Sequence, residues 1–488
     1  MQAFDAVTLI HLCETTMNRI PLISVAMLLL LIGCMSTSVS QTAIDTSAVG
    51  TWMGAIQTGP TSKLRIIFHV IATSGKALSC TLDSPDQGAA GIPGDGVTVH
   101  GDSVFFAFAM IQGMYAGKFS AGKNSIEGTW NQGPASIPLL LERTSATIEL
   151  KRPQLPKPPF PYRSEDVAYD NAAQGVKLAG TITLPNSPGP FPLALLITGS
   201  GPQDRDETLM GHKPFLVLAD YLTRRGIAVL RVDDRGVGQS TGSMEHATTA
   251  DFATDVRAGI SYAKSRIDID PKKIGLIGHS EGGIIAPMVA SESNDVAFIV
   301  MLAGSGVPGF KIIDQQLGLI EKANGVPEEK ISSDLAMSSK LHAIVMSQAD
   351  SSTKAKQLHD ELVSAAPGGG AGQEEQIRGQ IQTLLSPWFV YFLSYDPATA
   401  LEKVRCPVLA LGGDLDLQVF AADNIPAIAA ALKKGGNKDV TTRILPGLNH
   451  LFQHAKTGSP SEYGQIEETF APEALTIIGD WVTSKVVH

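Results

Sequence analysis

The sequence predicts an α/β chain: a mainly parallel sheet covered by helices on both faces, carrying a helical insertion and preceded by a small all-β domain. Three observations carry this. From about residue 163 to 488, short apolar runs alternate with amphipathic stretches, the pattern of buried parallel strands joined by crossover helices. Residues 46–150 show short runs of alternating hydrophobicity between Gly, Asn, Asp and Pro turns instead, an all-β pattern. Between them lies KRPQLPKPPFPY, residues 151–162, with five prolines in twelve positions. That composition favours extended backbone and a semi-rigid linker, and it marks the domain boundary.

The composition is that of a globular protein, with 43% hydrophobic and 18% charged residues among 488. A formal charge of −10 and the lack of any basic block argue against a nucleic-acid partner. The four cysteines do not form a disulfide framework: Cys13 and Cys34 fall in or before a targeting segment, and Cys80 and Cys406 lack metal-ligand spacing. No metal or other cofactor is expected. Residues 1–40 read as an export signal. Met17-Asn18-Arg19 opens a cationic stretch, and Ile20 to Gly33 supplies fourteen mostly apolar residues, short of the ~20 that span a membrane. Asp5 and Glu14 do not suit the start of such a signal, which makes Met17 the better beginning. Two processing sites compete, and a retained anchor is the third reading. Leu31-Ile32-Gly33-Cys34 resembles a lipobox that would leave Cys34 as a lipid anchor; Ser38-Val39-Ser40 before Gln41 is a small-x-small site for ordinary secretion. Either places the mature protein outside the cytoplasm, in the periplasm or secreted.

In the β segment the runs are Leu64 to Ala72, GVTVHG, SVFFAFAM and SIPLLLER, and a GTW triplet occurs at Gly50 to Trp52 and again at Gly128 to Trp130. Gly-x-Trp near a first strand resembles the opening of lipocalin- and avidin-like barrels; the plainer reading makes each Trp a core aromatic of a small meander. His69 and His100 have no catalytic partners in sequence. Beyond the linker, buried strands are predicted at Leu193 to Thr198, Ile227 to Val232, Lys273 to Gly278, Ala297 to Gly304, Pro407 to Gly413 and Thr441 to Leu445. The insertion, residues 305–402, falls between the fourth and fifth, is polar and helical, and is broken by PGGGAG at Pro367 to Gly372. An insert there lies over the C-terminal strand edge, where ligands bind, and reads as a lid, with a plain structural excursion as the alternative.

Two stretches match G-x-S-x-G: GQSTG (Gly238 to Gly242) and GHSEG (Gly278 to Gly282). Composition alone yields roughly 0.3 such matches in a chain this long, so context must decide. A nucleophile turn needs a buried strand running into the first Gly and a helix starting at the serine. Ser280 has both: KIGLIG leads in, and Ile284, Ile285, Met288 and Val289 form a helix face behind it. Ser240 has neither. Its strand ends near Val232, DDRGVG is a loop, and no helix begins before about Thr249, so GQSTG reads as a loop braced by Asp234 and Arg235.

A serine hydroxyl needs a base and an orienting acid, which in such sheets follow in the order Ser, acid, His. The loop after PVLALGG offers Asp414 and Asp416; the loop after the last strand offers His450 and His454. Pairing the two histidines as i,i+4 metal ligands lacks a third ligand. His279, beside the serine, is directed away from the reaction by the turn. The developing oxyanion needs two backbone N–H groups: one from Glu281, the other from Ser200 or Gly201 in the glycine-rich loop TGSGPQDRDE.

Residues 163–486 resemble the α/β-hydrolase superfamily, and within it the exported bacterial serine hydrolases of serine aminopeptidase-like or prolyl-oligopeptidase-like type, which include short-chain carboxylesterases. GSGPQDRDE, LRVDDRGVGQSTG, GHSEGG, SPWFVYFLSYDPA, CPVLALGGDLDLQV and LPGLNHLFQ carry the resemblance, in the family's order. It implies an α/β-hydrolase fold with a lid and a triad of Ser280, Asp416 and His450. The family spacing G-x-x-D-x-x-V is met by Gly413, Asp416 and Val419, leaving Asp414 to cap the turn through its own backbone. The His-Gly common in the oxyanion loop is Thr198-Gly199 here, a departure that spares backbone donors.

The leading expectation is a carboxylesterase acting on small acyl esters through an acyl-enzyme. A serine peptidase of aminopeptidase or dipeptidyl type is the alternative; it would need an acidic recess for the substrate's N-terminus, for which Glu321 and Asp334 in the insertion are the available acids. Thioester hydrolysis or acyl transfer is the third reading, and a non-catalytic binding protein the fourth. Few aromatics lie in the insertion outside Trp388 to Tyr395, which predicts short acyl chains.

Overall fold

Alternation of buried and exposed side chains along β1 (Gly50–Gln57), β2 (Lys63–Ala72) and β3 (Leu78–Ser84) is what commits the N-terminal part to one sheet with a single apolar face. The computed structural model describes residues 45–57, 63–73, 77–87, 89–132, 135–145, 151–365 and 371–486. The export segment, with Cys34, lies outside them. The sheet continues through β4 (Ala89–Pro93), β5 (Gly96–His100), β6 (Ser103–Phe108), β7 (Gly113–Phe119), β8 (Ser125–Gln132) and β9 (Ala135–Thr144). Its order, β4-β3-β2-β1-β9-β8-β7-β6-β5, is an antiparallel meander in which the first strand closes on the last. The sheet curls until Cys80 on β3 lies 4.0 Å from the Gly96 carbonyl on β5. Inside sit Phe68, Phe106, Phe108, Tyr115 and both GTW tryptophans. Trp52 donates its indole N–H to the Ala48 carbonyl at 2.7 Å, and the Arg143 guanidinium covers its ring at 4.1 Å.

The linker is pinned rather than free. Arg152 donates to the carbonyls of Met210, Gly464 and Ile466, and Gln154 accepts from the backbone of Thr469 and Phe470. Its last residue, Tyr162, already begins a second sheet: β10 (Tyr162–Asn171), β11 (Val176–Pro185), β12 (Phe191–Ile197), β13 (Ala228–Val232), β14 (Ile269–His279), β15 (Phe298–Leu302), β16 (Val408–Gly413) and β17 (Val440–Leu445). The order is β10-β11-β13-β12-β14-β15-β16-β17, with β10, β11 and β13 joined antiparallel and the rest parallel. All six apolar runs of the sequence lie in strands of this sheet.

Continuous apolar runs are required because both faces are buried. Leu193, Leu195 and Ile197 of β12 face one core with α2 (Thr249–Ser265), α3 (Gly282–Glu292) and α10 (Ala421–Lys434). Ala194 and Leu196 face the other, with α1 (Pro214–Arg224) and α11 (Pro472–Val486). Between β15 and β16 the insertion forms α4 (Gly309–Ala323), α5 (Glu328–Met346), α6 (Ser351–Ala365), α7 (Ala371–Leu384), α8 (Pro387–Ser394) and the short α9 (Ala398–Leu401). Its apolar core takes in Ile284 of α3 and Val419 of the loop after β16, which seats the helices directly over the C-terminal strand edge. This is the α/β-hydrolase architecture with a helical lid, led by a curled β domain.

Candidate active site

The turn from β14 into α3 is forced by close packing. A Cβ at Gly278 would overlap the Gly282 carbonyl, and one at Gly282 would overlap the Ile197 carbonyl, so strand and helix meet only with glycine at both positions. Between them Ser280 takes φ +53°, a left-handed conformation that costs ~1–3 kcal/mol and persists only where its surroundings impose it. Its N–H donates to the Leu302 carbonyl at 2.8 Å. Ser280 is half-buried, and among the described residues its hydroxyl has no hydrogen-bond partner.

Two loops converge from the far side. Asp416 follows β16 and is wholly buried; His450 follows β17 and is 4% exposed. His450 Nδ1 lies 2.9 Å from Asp416 Oδ2, while Asp416 Oδ1 accepts the N–H groups of Gln418 and Val419, each at 2.8 Å. With both carboxylate oxygens engaged, the proton of His450 belongs on Nδ1, which leaves Nε2 free to accept one. Asp414 is exposed and accepts the Gly447 N–H at 2.6 Å. It ties the acid loop to the histidine loop rather than capping its own turn as the spacing implied, because β17 runs parallel beside β16 and brings Gly447 within reach. His454 turns to Glu468 and Glu473, at 2.9 Å each.

The three expected oxyanion donors, the N–H groups of Ser200, Gly201 and Glu281, have no acceptor among the described residues. Gly199 N–H does have one, Glu207 Oε1 at 2.8 Å, and Gly201 at φ +91° turns the loop there. The same Glu207 oxygen lies 2.9 Å from His279 Nδ1, and His279 Nε2 lies 3.0 Å from the His450 carbonyl. Both ring nitrogens thus face acceptors, which only the imidazolium satisfies with two donors. Burial alone would lower the His279 pKa, but the adjacent Glu207 carboxylate outweighs it and holds the pKa above the ordinary histidine value. His279 therefore links the oxyanion loop to the backbone of His450.

Ser240 is buried in a structural role. Its hydroxyl donates to the Asp233 carbonyl at 2.8 Å and accepts the Ala179 N–H at 2.9 Å. The brace of this loop is Asp233, not the expected Asp234 and Arg235. Arg235 reaches Asp255 on α2 at 2.8 Å, and Asp234 reaches back to Thr198 and the Gln203 N–H.

Sequence reasoning missed the side chain of Glu281, which is 3% exposed. Its Oε1 accepts from Thr249 Oγ1 at 2.7 Å and from the Trp388 indole N–H at 2.8 Å, joining α3 to α2 and to α8 of the insertion. Burial pushes its pKa up against these two bonds. Burial likewise raises Asp234 well above the usual carboxylate range. Beside them lies a cleft of about 540 Å³, open solvent included, lined in part by Gly199, Gly201 and Glu281. Glu321 and Asp334 lie inside the insertion, with Asp334 bonded to Lys330 at 2.7 Å; neither lines this cavity. Among the described residues no cluster of His, Cys, Asp and Glu is arranged to hold a metal ion.

Residues 174–447 match the model of the family described as X-Pro dipeptidyl-peptidase (S15 family). Esterase EstD of Thermotoga maritima is 28% identical over 292 residues, 59% of this chain and 61% of that protein. The uncharacterized protein YfhR of Escherichia coli K12 is 31% identical over 127 residues, 26% of this chain and 41% of that one. The chain thus spans less than two thirds of the curated relatives it matches. Among solved structures, the Pyrococcus furiosus esterase Pf2001 aligns at 15% identity and TM-score 0.42, over 70% of this chain and 99% of its own.

Proposed function

The chain belongs to the X-Pro dipeptidyl-peptidase (S15) family, and from that premise we propose that it is a serine hydrolase whose principal activity is hydrolysis of small carboxylic esters. One observation carries the reading: Ser280 occupies a strained strand-to-helix turn beside free N–H groups, within an architecture that also buries the Asp416–His450 pair. In the reaction, Ser280 Oγ attacks the ester carbonyl and its proton passes to His450 Nε2. The carbonyl oxygen, now negative, is held by the N–H of Glu281 and that of Ser200 or Gly201. As the C–O bond breaks, His450 returns the proton to the departing alcohol and an acyl-Ser280 ester remains. Water, deprotonated by His450, then releases the acid. Asp416 holds the imidazole in its Nδ1–H tautomer and stabilises the imidazolium. The unbonded Ser280 hydroxyl suits a resting enzyme, whose catalytic hydrogen bonds tighten on substrate.

The family match favours a second reading, cleavage of dipeptides from X-Pro N-termini. Against it, the acids available in the insertion face its interior. Hydrolysis of p-nitrophenyl butyrate should exceed that of an Ala-Pro anilide, and Ser280→Ala should abolish both. Faster anilide cleavage would reverse the assignment. We further propose export, with palmitate labelling lost in Cys34→Ala identifying the lipid-anchored form and a mature N-terminus at Gln41 the secreted one.

A further inference from the structure

We infer that the cavity lined in part by Gly199, Gly201 and Glu281 is the acyl pocket of the proposed esterase and takes a neutral aliphatic chain. The inference rests on that esterase reading and deepens it. Position is the first argument. Its lining includes two of the three expected oxyanion donors, Gly201 and Glu281, and Gly199 stands so near Ser280 that a Cβ there would lie 3.3 Å from the serine Cβ. A carbonyl oxygen bound to those donors has its carbon beside this lining.

Direction is the second argument. The cavity runs into the core on the α2 and α3 side of the sheet, between Leu178, Leu195, Ile197, Phe252, Val256 and Ile285. The histidine loop belongs to the opposite side, where Leu448 and Phe452 pack into the other core. His450 must protonate the leaving oxygen, so the alcohol departs on its side and the acyl chain extends the other way, into the cavity.

Chemistry is the third. The six walls named are aliphatic or aromatic, so a hydrocarbon chain replaces water there favourably. Four carboxyls also line the cavity, Glu281, Asp233, Asp234 and Asp255, together with the Arg235 guanidinium. Each is already partnered: Glu281 by Thr249 and Trp388, Asp234 by Thr198 and Gln203, Asp233 by Arg205 and Asp255 by Arg235. Burial raises the pKa of Glu281 and Asp234, and arginines match the other two, so no carboxylate of the lining is left unpartnered for an ammonium.

The test uses p-nitrophenyl esters from acetate to octanoate, and acetates of varied alcohols, with Val256→Phe to fill the cavity and Phe252→Ala to enlarge it. Val256→Phe should lower kcat/KM for butyrate and hexanoate roughly tenfold or more while acetate changes less than about threefold. Phe252→Ala should raise hexanoate relative to acetate, and it decides the matter alone should Val256→Phe not fold. Neither should reorder the alcohols. An equal loss at every acyl length, a reordering of alcohols, or faster turnover of 4-aminobutyrate than butyrate esters would overturn the inference. If the wild type cleaves no ester, the esterase reading fails by itself. Sodium butyrate raising the Tm of the wild type but not of Val256→Phe would then still support the pocket, and an equal shift in both would refute it.

Discussion

Replacing Asp416 by Asn probes the site at a point where the hydrogen-bond geometry dictates the outcome. Oδ1 of Asp416 receives two backbone N–H groups and Oδ2 faces His450 Nδ1. An Asn of the same shape has one oxygen and one NH2 to distribute. Directing the NH2 at the N–H groups of Gln418 and Val419 would set donors against donors in a fully buried place, costing ~1–3 kcal/mol for each unmet group. The oxygen therefore takes that side and the NH2 turns to His450. Nδ1 must then accept, the ring proton moves to Nε2, and the base that should receive the Ser280 proton becomes a donor. Loss of this tautomer should lower kcat by ~10³–10⁴, which is about 4–5.5 kcal/mol of transition-state stabilisation. Asp414→Asn keeps its oxygen for the Gly447 N–H and should stay within about tenfold, ~1.4 kcal/mol or less. Both variants are measured on p-nitrophenyl acetate, with Tm recorded to exclude unfolding. A loss under tenfold in Asp416→Asn, or a larger loss in Asp414→Asn, would refute the reasoning.

Ser240→Ala should retain most activity and fluorophosphonate labelling yet lower stability by ~1–3 kcal/mol, since it leaves the Ala179 N–H unpaired; denaturant unfolding measures this. His279→Asn should reduce kcat/KM about 10–100-fold while Ser280 still reacts with the probe, because the tie between the oxyanion loop and the His450 backbone is cut; unchanged kinetics would remove that role. The insertion should weaken as pH rises. Burial, with the neighbouring Asp334, raises Glu321 from 4.5 to about 7, so its contribution is fully present below pH 4.5 and is lost as pH climbs through 7. At most a few kcal/mol are involved, and Glu321→Gln should flatten the dependence of Tm on pH between 5 and 8.

How much of this is legible in a bare sequence depends on where the determining contact lies. Strands β12 to β17 are readable because burial on both faces demands uninterrupted apolar runs, and neighbouring covering helices supply the contrast. The β10–β11 hairpin is not. β10, YRSEDVAYDN, has only one covered face and mostly polar residues, and β11 is diluted by Gly180 and two threonines. Their pairing is set by a turn at residues 172–175 and by contact with β13, neither of which leaves an apolar run. The linker fails differently. Proline content predicts its extended backbone, but Arg152 binds carbonyls more than 300 residues away at Gly464 and Ile466, and no local pattern encodes that.

The same division runs through the site. Ser280 can be selected over Ser240 because a nucleophile turn is local: one strand, two glycines and one helix, all contiguous. The candidates for acid and base can be placed on their loops by chain order, whereas choosing Asp416 over Asp414 needs the family spacing, since both stand on one exposed-looking turn. What escapes is the layer that holds these groups. Glu207 binds Gly199 locally and His279 from 72 residues away, and Glu281 meets Trp388 across 107. Each is an ordinary polar or aromatic residue in a motif whose backbone accounts for it. Glu281 shows the difficulty most sharply. Its N–H is demanded by the chemistry of the turn, so sequence reasoning assigns the residue and stops. Its carboxyl meanwhile joins three separate helices and borders the cavity, a role set by partners that only the fold assembles.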